Sequence, residues 1–85
     1  MSNPEFHDLL RLHRISRNLS LADLANLAGV SRSHLSNLEL GRRLPSGIHA
    51  KAIGDALALD AEATRTWLAA AAESHIPTDL RDFRV

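Results

Sequence analysis

An all-α chain folded as a compact five-helix bundle is what this sequence predicts, and three observations carry the prediction. The apolar content, 45% of 85 residues, is mostly Leu and Ala, with two Phe, one Trp and no Tyr, so the residues that strands favour are scarce. Apolar positions recur at the three- and four-residue spacing that places them on one helical face. Each periodic stretch is opened by a residue type that caps helix N-termini: Asn3, Ser20, Ser31, Ser46 and Asp60. A chain of this length has room for one core. The predicted division is a domain over residues 1–74 and a tail over 75–85.

The first helix is expected to start at Asn3-Pro4-Glu5, with proline at the first helical position and an acid near the positive end. Phe6, Leu9, Leu10 and His13 mark its inner face. It should end near Arg17, with Asn18 in the left-handed conformation that Asn tolerates. Ser20 with Asp23 makes a weak capping box for the second helix, whose inner stripe is Leu21, Leu24, Ala25 and Ala28. Gly29 turns the chain, and Ser31 caps a third helix with Leu35 and Leu38 inward. Gly41 ends that helix before a basic loop, Arg42-Arg43-Leu44-Pro45. Ser46 caps a fourth helix with Ile48, Ala52, Ile53, Ala56 and Leu57 on its inner face, and Gly54 inside it marks close packing. Asp60 caps a fifth helix through about Ser74, with Ala63, Trp67, Leu68 and Ala71 inward. Pro77 breaks the pattern.

Net charge is zero, yet its distribution is polar: residues 1–51 carry an excess of three positive charges and residues 52–85 three negative ones. A positive face of that kind suits phosphates while keeping non-specific attraction modest. There is no cysteine, hence no disulfide framework and no thiolate metal site. No apolar run approaches the roughly 18 residues that span a bilayer, and MSNPEFHDLL lacks the basic start and apolar middle of a signal peptide. The expected setting is the cytoplasm.

The most informative stretch is Leu19–Pro45, LSLADLANLAGVSRSHLSNLELGRRLP. Two short periodic segments, each opened by a serine, are separated by Ala28-Gly29-Val30. That is the pattern of a helix-turn-helix formed by the second and third helices, the third being able to lie in a DNA major groove.

Four motifs carry a resemblance to a known family: L-R-x-x-R at 10–14, L-S-L-A-D-L-A at 19–25, A-G-V-S at 28–31, and S-x-L-E-x-G-R-R-x-P at 36–45. Over roughly residues 6–59 the chain resembles the Cro and phage-repressor (XRE) type of helix-turn-helix protein. The resemblance implies a lambda-repressor-like DNA-binding bundle. Carried over by position, it implies base contacts from Arg32, Ser33, Ser36 and Asn37. Arg32 has the chemistry for guanine O6 and N7, and Asn37 for adenine N6 and N7. It implies backbone contacts from Ser31, His34, Arg42 and Arg43, with Arg11 and Arg17 as weaker choices. Arg14 and Glu39 match positions that form a structural ion pair. One departure stands out: where many relatives place a phosphate-clamping Gln at the start of the second helix, this chain has Leu21.

Other classes fit less well. The five histidines, at 7, 13, 34, 49 and 75, form no metal-ligand spacing, and no P-loop, Rossmann or G-x-S-x-G pattern occurs. An enzyme is not expected, nor is a metal, a cofactor, a small-molecule ligand or a membrane partner. The expected partner is double-stranded DNA, bound as a homodimer on a pseudo-palindromic operator with half-sites about 34–36 Å apart. The expected role is transcriptional repression. The alternative is a small protein-interaction module, antitoxin-like or docking on the transcription machinery through the fifth helix and the tail. Trp67 is expected in the core rather than as an exposed anchor, whereas Phe83 and Val85 are expected to lie against a neighbour or stay disordered. Nine Arg to one Lys points to a GC-rich bacterial or phage source.

Overall fold

The computed structural model describes residues 5–74, and within them five helices follow in order. They are α1 (Phe6–Ser16), α2 (Leu21–Ala28), α3 (Arg32–Glu39), α4 (Gly47–Ala56) and α5 (Ala61–Glu73). Four of the five starts are closed by the side chain of the residue just before the helix. Ser20, Ser31, Ser46 and Asp60 accept from the backbone N–H of Asp23, His34, His49 and Ala63 at 3.0, 3.0, 3.1 and 2.8 Å. Ser20 and Asp23 complete a reciprocal capping box, satisfying two N–H groups that an isolated helix end leaves unpaired.

α1 starts differently from the expectation. Asn3 and Pro4 lie outside the described residues, and the capping position is Glu5, in extended backbone (φ −74°, ψ 151°) with no side-chain cap bond. The helix therefore begins at Phe6. What this first turn gains is burial: the Phe6 ring packs on Trp67 with centroids 4.4 Å apart.

The exits of α1 to α4 share one device. Asn18, Gly29, Gly41 and Ala58 have φ of 57°, 73°, 74° and 54°. After each, the next N–H reaches back to a carbonyl in the last turn: Leu19 to Arg14, Val30 to Ala25, Arg42 to Asn37 and Leu59 to Gly54. This is the left-handed helix ending that satisfies otherwise unpaired carbonyls.

α2 packs on α3 and α4, α4 on α5, and α1 on α3 and α5. The wholly buried large side chains are Leu10, Leu24, Leu35, Leu38, Ile53, Leu57 and Trp67. Trp67 is core, as its pattern predicts, and its indole N–H donates to the Ala50 carbonyl at 2.7 Å. A Cβ at Gly54 would lie 2.9 Å from Trp67 Nε1, so the indole occupies the space that glycine leaves. Two expected faces hold except at one residue each: Ile53, Leu57, Trp67 and Ala71 are buried as the pattern predicts, and Ile48 and Leu68 are not. On α4 the buried residues are Ala50, Ile53 and Gly54, while Ile48 is 82% exposed. On α5 they are Trp67, Ala70 and Ala71, while Leu68 is 42% exposed. The small residues at 50 and 54 turn α4 toward the indole, which rotates Ile48 outward. The tail 75–85, with Phe83 and Val85, lies outside the described residues. No helix of the described residues is long and apolar enough to cross a membrane.

Candidate nucleic-acid interface

α2 and α3 are joined by Gly29, Val30 and Ser31, and this short connection fixes how α3 is presented. Gly29 supplies a left-handed turn, Val30 tucks against the core, and Ser31 caps α3. Leu35 and Leu38 are fully buried, anchoring the inner face of α3. The opposite edge faces outward: Arg32 and Ser33 are exposed, Ser36 and Asn37 half-buried. These four side chains, together with Leu21 from the first turn of α2, line one open cleft of about 300 Å³. The side chains that the sequence offers for base contact are thus brought together by the fold. Leu21, with no hydrogen-bond donor in its side chain, borders the same cleft.

The basic loop is held at the other end of α3. The Asn37 carbonyl accepts from the N–H of both Arg42 and Arg43, at 2.9 and 3.3 Å, which ties the backbone of both arginines to the end of the helix. Both residues are exposed, and Pro45 behind them is buried. Gly41 turns this loop at φ 74° with the His7 ring against it. Arg11 is exposed on α1, and Arg17 folds back on its own helix toward the carbonyl and ring of His13.

A bidentate ion pair joins α1 to the last turn of α3. Arg14 Nε and Nη2 donate to the two Glu39 carboxylate oxygens at 2.8 and 2.7 Å, and Nη1 donates to the Leu19 carbonyl at 2.9 Å. Both side chains are largely shielded, 16% and 10% exposed. The bonds to Glu39 raise the Arg14 pKa, against the opposing pull of burial. One guanidinium thereby fastens α1, the link into α2, and the end of α3. The Leu19 carbonyl is a partner that residue spacing does not disclose.

His34 lies on a different side of α3 from the cleft. Its Nε2 is 3.1 Å from Nδ1 of His49 in the first turn of α4, with ring centroids 4.6 Å apart at 62°. Burial, then the neighbouring His49 and Arg43, lower its pKa below the usual histidine value. His49, weighed from the sequence only as a metal ligand, is thus a ring partner of His34. The signal was there in the repeat of S-x-x-H at 31–34 and 46–49, which gives both helices the same cap and the same ring position. Among the described residues no three His, Asp or Glu side chains converge in a manner suited to a metal ion.

A family described as a helix-turn-helix domain, found in XRE-type DNA-binding regulators, matches residues 5–68. That span runs from the first turn of α1 into α5. Comparison with curated proteins and with solved structures gives no match.

Proposed function

The chain belongs to the helix-turn-helix domain family, and on that premise we propose that it is a sequence-specific regulator that represses transcription by occupying an operator. DNA is the partner its family implies; the finer reading rests on α3. The observation that carries it is the cleft along α3, where a guanidinium, a carboxamide and two hydroxyls stand together, unengaged by the core. Arg32 and Asn37 read base edges, each good bidentate pair discriminating by about 1–3 kcal/mol. Ser33 and Ser36 fill the same edge. Ser31, Arg42 and Arg43 hold phosphates and fix register without specifying sequence, and His34 stands beside them for a further backbone contact. The Arg14–Glu39 pair sets the angle of α3 against α1.

One short helix covers only a few base pairs, so the working species is a homodimer on a pseudo-palindromic site. The protein acts without catalysis, in the cytoplasm where a bacterial or phage operator lies. Selection of bound sequences from random duplex DNA tests this directly. A two-fold symmetric consensus is expected, with Arg32→Ala relaxing one position and Asn37→Ala another. Arg42→Ala weakens all sequences alike and lowers the salt dependence. Enrichment of no sequence above background would reject the proposal.

A further inference from the structure

We infer that His49 is a positioning residue for the DNA grip: it holds the His34 ring against α4 when the pair carries at most one added proton, and releases it toward phosphate when both rings are protonated. The inference rests on the DNA-binding reading above and extends it to regulation by acidity.

The geometry is built from two equivalent positions. His34 and His49 are each the third residue of their helices, and the backbone N–H of each is taken by the capping serine, Ser31 or Ser46. Their backbones are therefore fixed, and the rings meet through Nε2 of His34 and Nδ1 of His49 at 3.1 Å. A bond between two ring nitrogens needs one N–H and one bare nitrogen. It survives with both rings neutral, and with one cationic, but an imidazolium pair has only donors at the contact. Two protons end the bond and place like charges together.

The surroundings reinforce release. Arg43, from the loop after α3, bears on His34 with the same sign of charge. On α2 Asp23 accepts from the Ser20 N–H, on α3 Glu39 holds Arg14, and on α4 Asp55 holds Lys51; α5, packed on α4, carries Asp60, which caps its own helix at Ala63, and the exposed Glu62 and Arg65. On α1, Asp8 lies beside His7. The released, cationic His34 stands in the first turn of α3, two residues from Arg32. Duplex affinity then climbs as pH falls through the histidine range, by no more than about tenfold per pH unit for one proton taken up. The salt slope steepens by about 0.9 for the added phosphate contact.

The test pairs proton NMR titration of the histidine rings in the free protein with fluorescence anisotropy of a short mixed-sequence duplex at low salt. Both run from about pH 8 to about pH 5, across the range where histidine changes charge. In wild type duplex affinity rises on acidification, over the pH range in which the His34 and His49 ring signals report loss of their contact. His49→Ala frees His34, so the affinity step moves to higher pH. His49→Gln offers a non-titrating oxygen that keeps even the protonated ring, and flattens the step. His34→Gln abolishes it. Circular dichroism confirms that each variant is helical. Duplex binding with the same pH profile in wild type and His49→Ala overturns the inference alone. Absence of duplex binding at every pH overturns the DNA reading, and this inference with it.

Discussion

Replacing Glu39 with alanine removes both acceptors from two of the three arms of Arg14 and leaves the guanidinium with the Leu19 carbonyl as its one remaining partner among those bonds. A hydrogen bond to a charged group contributes about 1.5–3 kcal/mol, and stripping one partner from a fully buried pair costs about 3–5 kcal/mol. Here the two side chains are 16% and 10% exposed, so water recovers part of the loss. A destabilisation of about 2–3 kcal/mol follows, out of roughly 4–13 kcal/mol for a domain of this size. At about 4–8 °C per kcal/mol, the melting temperature falls by about 8–24 °C. The assay is thermal unfolding by circular dichroism of Arg14→Ala, Glu39→Ala and the double variant, which isolates the pair term. The double variant should be more stable than the sum of the single losses predicts, because neither charge is then left stranded. The same variants, measured at a temperature where all are folded, lose duplex affinity because the end of α3 is no longer tied to α1. A coupling below about 0.5 kcal/mol, the scatter expected for independent sites, would show that the two side chains act independently.

The remaining predictions concern packing, backbone and pH. Gly54→Ala gains about 1 kcal/mol of helix propensity but forces a Cβ to 2.9 Å from the Trp67 indole, at an overpacking cost of about 1–3 kcal/mol, and disturbs the bond to Ala50. A net loss in urea unfolding is expected; a gain would show that the indole slot is not tight. Ala58→Gly relieves an alanine held at φ 54°, where an L-residue loses about 1–2 kcal/mol, against a flexibility cost of about 0.5–1 kcal/mol. It should raise the melting temperature by a few degrees. His13, through burial and then Arg17, and His34, through burial and then His49 and Arg43, both have lowered pKa values. The unfolded chain then binds more protons below the ordinary histidine value of about 6.5. Stability is therefore full above that pH and is lost as pH falls toward the lowered folded values. Thermal melts of His13→Gln and His34→Gln between neutral and mildly acidic pH should show a shallower decline than wild type.

Local chemistry made much of this fold legible. Ser20, Ser31, Ser46 and Asp60 announce helix starts because their oxygens bond the third residue on, an interaction contained within four residues. Gly29 and Gly41 announce exits because glycine enters the left-handed region without strain. Ala58 makes the same exit without an announcing side chain, so the position is invisible in the sequence. On the α4 face Ile53 and Leu57 are buried as periodicity predicts, but Ile48, at helical spacing from Ala52, turns outward because the face centres on what is small enough to admit Trp67. Tertiary fit overrode periodicity there, and again at Leu68.

The candidate site divides in the same way. Arg32, Ser33, Ser36 and Asn37 fall on one edge by helical geometry alone, and the fold places Leu21 beside them. The contact between His34 and His49 joins residues 15 apart on separate helices, which no periodicity within one helix reveals.

The most direct measurement is amide chemical-shift mapping of the isotope-labelled protein as the duplex selected from random sequences is added. The largest shifts should run along Ser31–Asn37, with Leu21, Arg42 and Arg43, and Arg32→Ala should weaken them for the selected duplex more than for a scrambled one. Shifts concentrated instead on α5, around exposed Leu68, with the edge of α3 unmoved, would contradict it.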